Sequence, residues 1–353
     1  FIFALKLEKA MIETFNPAMI VLARESRGMN QKELAEKISI SVSNISKMEN
    51  SALTITPPVL EEIADATNYP TEFFYQKTDI IPDNLGYRRR QVVSQKILVP
   101  INAQINIIRQ HVQFLTRELK VPVPKLPIID VSGDVTPQMA AKQVRKSWKI
   151  KEVVIANLTQ LLESHKVAIS TFDFNTARVD SRSILTEDNY PLIVHNRNHL
   201  GDRQRFTLAH ELGHFVMHTF TDLSADRDIT HEANLFAAEL LMPEAQIRKD
   251  FKELLTITRL AELKKKWNVS MISILYRADD LGFLSPNQKH YLIRQFNALN
   301  IRRREPVELD VLIEKPKLIR QLISEYKASR KMKTTQMAAT LHLTTDEFVQ
   351  VYG

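Results

Sequence analysis

With 353 residues, 44% of them hydrophobic and 25% charged, the chain is long enough for roughly two to three ordinary domains and too apolar for a disordered or collagen-like polymer. It contains no cysteine, which excludes disulfide frameworks, thiol nucleophiles and every Cys-containing zinc site and leaves histidine and carboxylates to hold any metal. Forty-eight Lys and Arg against 41 Asp and Glu give a net charge of +7, compatible with nucleic acid but insufficient to argue for it.

Residues 1 to 10 precede Met11, a plausible native start, and are set apart from the fold argument. No apolar run approaches the ~20 residues a membrane span needs. The chain therefore reads as cytoplasmic, and as nucleoid-associated when bound to DNA. Residues 11–78 are expected to form a compact helical domain of short amphipathic segments. Within it, Asn30 suits a helix cap with Glu33 as the third helical residue, and Gly28 suits the stop of the preceding helix. A turn over Ser39 to Ser41 then leads into Val42–Glu49, with Val42 and Ile45 expected inward and small polar or cationic side chains outward. A helix entering the major groove needs that division. A bundle used for protein contact shows the same amphipathic pattern.

This segment resembles the XRE (Cro/C1-type) helix-turn-helix family. The resemblance implies that Gln31 contacts phosphate from a helix N-terminus and that Ser43, Asn44 and Lys47 face base edges or backbone. Two departures are visible: Ser39 stands where glycine is common, and the recognition helix has no Arg.

Residues 79–135 read as a linker, with Arg88-Arg89-Arg90, followed by a long helix over Ile101–Leu119 that the prolines 122, 124 and 127 terminate. Residues 136–285 form the next expected domain. Its predicted elements are helices near 137–148 and 153–164, strands at 167–172, 182–185 and 192–195, and helices at 203–218 and 230–241. Residues 286–353 read as helical with a break at Glu305-Pro306. The fold class expected is mainly α with a small β-sheet (α+β): a helix-turn-helix bundle, a zincin-like metallopeptidase domain and a helical C-terminal region.

The most specific signal is His210-Glu211-Leu212-Gly213-His214. At 100° per residue the two histidines lie one turn apart on one helix face and can share a zinc ion, with Glu211 placed to accept a proton from water. A histidine pair satisfied on a helix surface is the structural alternative. Glu232 on the following helix is the candidate third ligand, with Asp228 and Glu239 as alternatives on roughly the same face. His218 lies ~12 Å along the helix from His210, too far to share one metal, and reads as a supporting, substrate-facing or solvated residue. A metzincin site would need a third histidine where Phe220 stands.

The run RFTLAHELGH followed by HEANLFAAELLMP resembles the ImmA/IrrE family of zinc metallopeptidases. The resemblance implies Zn2+ bound by His210, His214 and Glu232, with Glu211 as catalytic base. Where gluzincins such as thermolysin carry Asp four residues after the third ligand, this chain has Phe236, so the partner of the first histidine is unassigned. From about residue 15 to the end, the order of an XRE domain, a helical linker and an ImmA/IrrE domain with a helical tail resembles a fused architecture. It implies a zinc endopeptidase and DNA-binding transcription regulator, a promoter or operator as one partner, and a repressor or antitoxin as protein substrate. Stress, mobile-element or defence genes are the implied targets, and a homodimer is expected. The competing reading is a non-proteolytic DNA-binding regulator whose HExxH domain senses a metal or ligand. Retention of Glu211 favours the enzyme, since a sensor needs the histidines but not the base. Near the end, Thr335–Phe348 echoes Gln31–Ala35, as a degenerate second helix-turn-helix or an ordinary packed helix pair. The triplets Lys264–Lys266 and Arg302–Arg304 are expected to be solvated faces, and Trp148 and Trp267 core.

Overall fold

A computed structural model describes residues 15–77, 93–221 and 226–353. The expected non-native start at 1–10 and most of the expected linker, with its arginine triplet, lie outside them. The described residues fall into two compact units, one of 15–77, 93–121 and 320–353 and the other of 122–221 and 226–319.

In the first unit, Asn16 caps α1 (Pro17–Ser26) through the Ala18 amide at 3.1 Å. Asn30 and Glu33 close a reciprocal capping box on α2 (Gln31–Lys37), and Ser41 caps α3 (Val42–Glu49). Between α2 and α3, Ser39 has φ +55°, the left-handed conformation that explains why glycine is common at this turn. α4 (Pro57–Thr67) and a 3-10 turn at Thr71–Tyr75 close a core around Met19, Ile20, Leu34, Ile45, Ile63, Phe73 and Phe74. Val42 departs from expectation: it is 43% exposed, because the first turn of α3 projects beyond this core, and Met48 takes the second inward place. α5 (Gln95–Glu118) starts six residues before Ile101, since Pro100 in its second turn forgoes only one intrahelical hydrogen bond. Its inward stripe is Ile101, Ile105, Ile108, Val112 and Leu115, and it packs on α1.

The second unit opens with α6 (Pro137–Ser147) and α7 (Leu158–Ser164). α7 starts five residues later than expected because the Ile155 and Ala156 carbonyls bond the Arg205 guanidinium instead of continuing a helix. Strands β1 (Ala168–Phe172), β2 (Ser181–Leu185) and β3 (Pro191–Asn196) form a sheet of order β1-β3-β2, parallel between β1 and β3 and antiparallel between β2 and β3. Every residue of β3 is buried, which matches its apolar run and central place. α8 (Gly201–Met217), α9 (Ile229–Leu241) and the short α10 (Glu244–Ile247) are followed by α11 (Ile257–Trp267), α12 (Met271–Asp280) and α13 (Pro286–Ala298). Lys264 is not solvated. It lies on the inward face of α11 with Leu260, Leu263 and Trp267, fully buried between the carboxylates of Asp202 and Glu305. Trp267 is core, as expected, and donates from Nε1 to Asp250 at 2.8 Å.

α14 (Leu318–Arg330), α15 (Thr334–Thr340) and α16 (Thr345–Tyr352) bring the chain back into the first unit. There His111 Nδ1 lies 2.8 Å from the Tyr352 hydroxyl, and its Nε2 lies 2.9 Å from the Leu341 carbonyl. Burial pushes the imidazole pKa down to about 3, so the ring is held neutral. The unfolded chain then binds the extra proton first. The stability this ring contributes is fully present above the unfolded value near 6.5 and is lost progressively as pH falls toward 3. From pH 7 to pH 5 the loss should be ~2 kcal/mol. Urea titrations of wild type and His111→Gln check this, since the variant should show a shallower pH slope; an unchanged slope would contradict it.

Candidate metal centre and DNA-reading surface

α8 carries His210, Glu211 and His214, and it is fixed on several sides. Leu208, Leu212 and Phe215 enter the core, while Arg205 donates to Ile155 O at 2.7 Å and Asn268 O at 3.1 Å and pairs with Glu314. Gly213, between the two histidines, lets α9 approach: a Cβ there would stand 3.0 Å from the Phe236 ring. That close approach brings the α9 side chains Glu232 and Asn234 to the histidines.

The imidazoles of His210 and His214 turn Nε2 toward each other, 3.0 Å apart. Two hydrogen-bond relays set their tautomers. Asn234 Oδ1, an acceptor, lies 2.9 Å from His210 Nδ1, so that nitrogen carries the proton. A carboxylate can only accept, so the Glu232 Oε2 contact at 2.8 Å places a proton on His218 Nε2, and His218 Nδ1 then accepts from His214 Nδ1 at 2.9 Å. The two Nε2 atoms thus face one another on one side of α8, an arrangement that a shared cation suits. Imidazoles on one tetrahedral zinc stand roughly 3.3 Å apart, nitrogen to nitrogen, so this pair fits the metal. Asn234 fills the role left open by Phe236, and His218 is buried and bonded rather than solvated. The sequence signal for Asn234 was its place in the Glu-Ala-Asn run, two residues after Glu232.

Glu232 is brought to the cluster through His218. Its carboxylate is gripped by Arg227, with Nε at 3.0 Å and Nη2 at 2.6 Å. Burial works to raise its pKa, but Arg227 and His218 hold it below the ordinary glutamate value. His218 is shifted down by burial, which outweighs the attraction of Glu232. Among the described residues, no three His, Cys, Asp or Glu side chains converge on one point that would by itself hold a metal. The other two carboxylates considered on this helix are engaged elsewhere. Asp228 caps α9 through the His231 amide at 3.1 Å, and Glu239 is fully buried against Arg277. Glu211 is 4% exposed, and its Oε1 accepts the Ser181 hydroxyl from the edge strand β2. A cleft of about 800 Å³ runs along α8 toward its N-terminus, one turn from His210, with Phe206 and Ile272 among its apolar lining residues and Arg178, Arg302 and Arg303 among its cationic ones.

In the first unit, Ser43 and Lys47 are exposed on α3 and Asn44 is half-buried beside them. Gln31 donates to Glu49 Oε2 at 2.7 Å, and Glu49 also holds Arg24 Nε at 2.7 Å. The start of α2 is thereby tied to the end of α3. The structure places Ser43, Asn44 and Lys47 on one outward face, while the Gln31 amide is spent on an internal bond.

Residues 20–74 match the family profile of a helix-turn-helix, and residues 162–279 match that of the IrrE N-terminal-like domain, a peptidase family. Over 171 residues the chain is 28% identical to the radiation response metalloprotease IrrE of Deinococcus radiodurans. That match takes in 45% of this chain and 52% of the relative, so the chain spans about half the relative's length.

Proposed function

For a chain that carries a helix-turn-helix domain of the XRE type and an IrrE N-terminal-like domain, we propose the function of a cytoplasmic zinc endopeptidase and DNA-binding transcription regulator that cleaves a partner repressor or antitoxin at or near DNA. Stress, mobile-element or defence genes are the proposed targets, on the strength of the resemblance. The observation that carries the peptidase reading is the approach of the His210 and His214 Nε2 atoms to 3.0 Å, with Glu211 on the same helix. His210 and His214 would hold the zinc, with Glu232 as third ligand once its carboxylate leaves Arg227. When bound, the metal supplies Lewis acidity and acidifies water. Glu211 takes the proton, Ser181 fixes its carboxylate, and Asn234 and His218 keep the imidazoles in register. The protein substrate would lie along the cleft beside α8. Arg302→Glu with Arg303→Glu should therefore raise KM for an acidic substrate several-fold and leave kcat unchanged; steady-state kinetics decide this.

The grip of Arg227 on Glu232 favours a second reading, in which the domain senses a metal or ligand without cleaving. Retention of Glu211 weighs against it. A cleavage assay on the product of the adjacent gene, run beside metal analysis, separates the two.

On the DNA side, Ser43, Asn44 and Lys47 are proposed to meet base edges or backbone, and Gln31 phosphate after release from Glu49. One module of this size binds weakly, so a homodimer on a palindromic site is proposed. Asn44→Ala should erase discrimination between cognate and scrambled duplexes. Lys47→Ala should weaken both and reduce the salt slope by about one. Titrations by fluorescence anisotropy over a salt series test the pair, and an affinity insensitive to salt would leave the domain as a docking module for a DNA-bound partner.

A further inference from the structure

The three C-terminal helices repeat the three N-terminal ones at a constant offset of 303 residues. α2 and α15 are both seven residues long, and α3 and α16 are both eight. The left-handed residues Gly28 and Ser39 recur as Lys331 and His342. A lysine does not favour that conformation, so at Lys331 the fold imposes it. The turn bond from the Ile40 amide to the Ala35 carbonyl at 3.1 Å recurs from Leu343 to Ala338 at 3.0 Å, and the cap Ser41 recurs as Thr344. Buried Leu34, Ala35 and Ile45 recur as buried Met337, Ala338 and Phe348.

What does not recur is the charge. Lys32, Lys37 and Lys47 of the first copy become Thr335, Thr340 and Gln350, while Ser43 and Asn44 become Asp346 and Glu347. The left-handed positions and the cap of the turn are kept, while the three lysines of α2 and α3 are gone; the lysines the second copy does have here, Lys331 and Lys333, stand before its first turn, where Gly28 and Asn30 are. Glu347 is committed elsewhere. It takes Arg27 in a two-pronged ion pair, Nη1 to Oε1 at 2.8 Å and Nη2 to Oε2 at 2.9 Å, while the Arg27 Nε bonds the Thr67 carbonyl and its guanidinium lies 4.0 Å over the Tyr69 ring. The residue at the reading position of the second copy therefore grips the point where α1 and α4 of the first copy end.

We propose that residues 318–352 are a second helix-turn-helix module that does not read DNA and instead holds the first module in shape through Glu347 and Arg27. Each chain then offers one reading helix, and the second half of a palindromic site must come from a second copy of the chain. The inference deepens the DNA-binding proposal and rests on it only for its DNA arm.

Two measurements on the full-length protein test it. In the first, a duplex is selected by the intact protein from a pool of random-sequence inserts. Asp346→Ala with Gln350→Ala should leave its affinity within twofold, whereas Lys47→Ala weakens it; a tenfold loss from the C-terminal pair would overturn the proposal. In the second, hydrogen exchange follows the amides of residues 24–29. Glu347→Ala should speed their exchange about tenfold while Asp346→Ala leaves them unchanged, and equal protection in both variants would overturn the proposal. If no duplex is selected, the DNA-reading proposal fails for the N-terminal module, and the exchange experiment still decides whether the C-terminal one holds it.

Discussion

His210→Ala and His214→Ala are each expected to abolish zinc binding at concentrations where the wild type holds about one equivalent. Each removes one of the two Nε2 donors that face each other at 3.0 Å. Glu232→Ala should weaken zinc strongly if its carboxylate completes the site. Asn234→Ala should cost a smaller ~10–100-fold, the usual effect of removing the hydrogen-bond partner of a ligand. Asp228→Ala removes a helix cap and should leave the metal in place. Competitive titration with a chromogenic chelator ranks the series. Stoichiometric zinc in either histidine variant would refute the assignment, and full affinity in Glu232→Ala would leave that residue a support for His218 alone.

Glu239→Ala is expected to destabilise the second unit by about 3–5 kcal/mol, because it strands the Arg277 cation in the core. Both side chains are 1% exposed, and Glu239 also accepts the Glu244 amide at 3.2 Å where the chain turns after α9. Zinc lost from this variant would follow from unfolding rather than from a missing ligand. Replacing both partners, Glu239→Leu with Arg277→Met, should recover most of the loss, since no buried charge is then left unpaired. Denaturant melts of the single and double variants check this. A single variant as stable as wild type would show that the ion pair contributes little.

The local chemistry of the helix-turn-helix and of the metal helix was legible because it is written in neighbouring residues. The Asn30 and Glu33 capping box, the turn at Ser39, and the one-turn spacing of His210 and His214 are fixed by the periodicity of a helix. What escaped depends on residues far apart in the chain. Burial of Lys264 requires Asp202 and Glu305, and the late start of α7 requires Arg205, 50 residues after Ile155. Val42 was misplaced because periodicity gives the face of a helix but not where the core ends along it. The roles of Asn234 and His218 were hidden in the same way, since they follow from how α9 crosses α8 at Gly213.

Whether this site holds zinc and cuts a protein is decided by incubating the zinc-loaded protein with the purified product of the adjacent gene, in parallel with Glu211→Gln. Glutamine keeps the shape of the side chain but cannot take the proton. The expected result is a discrete cleavage product with the wild type, a rate lower by about 10²–10⁴-fold with the variant, and equal zinc in both. Equal cleavage by the two proteins, or zinc-loaded wild type that leaves the partner intact while binding it, would contradict it.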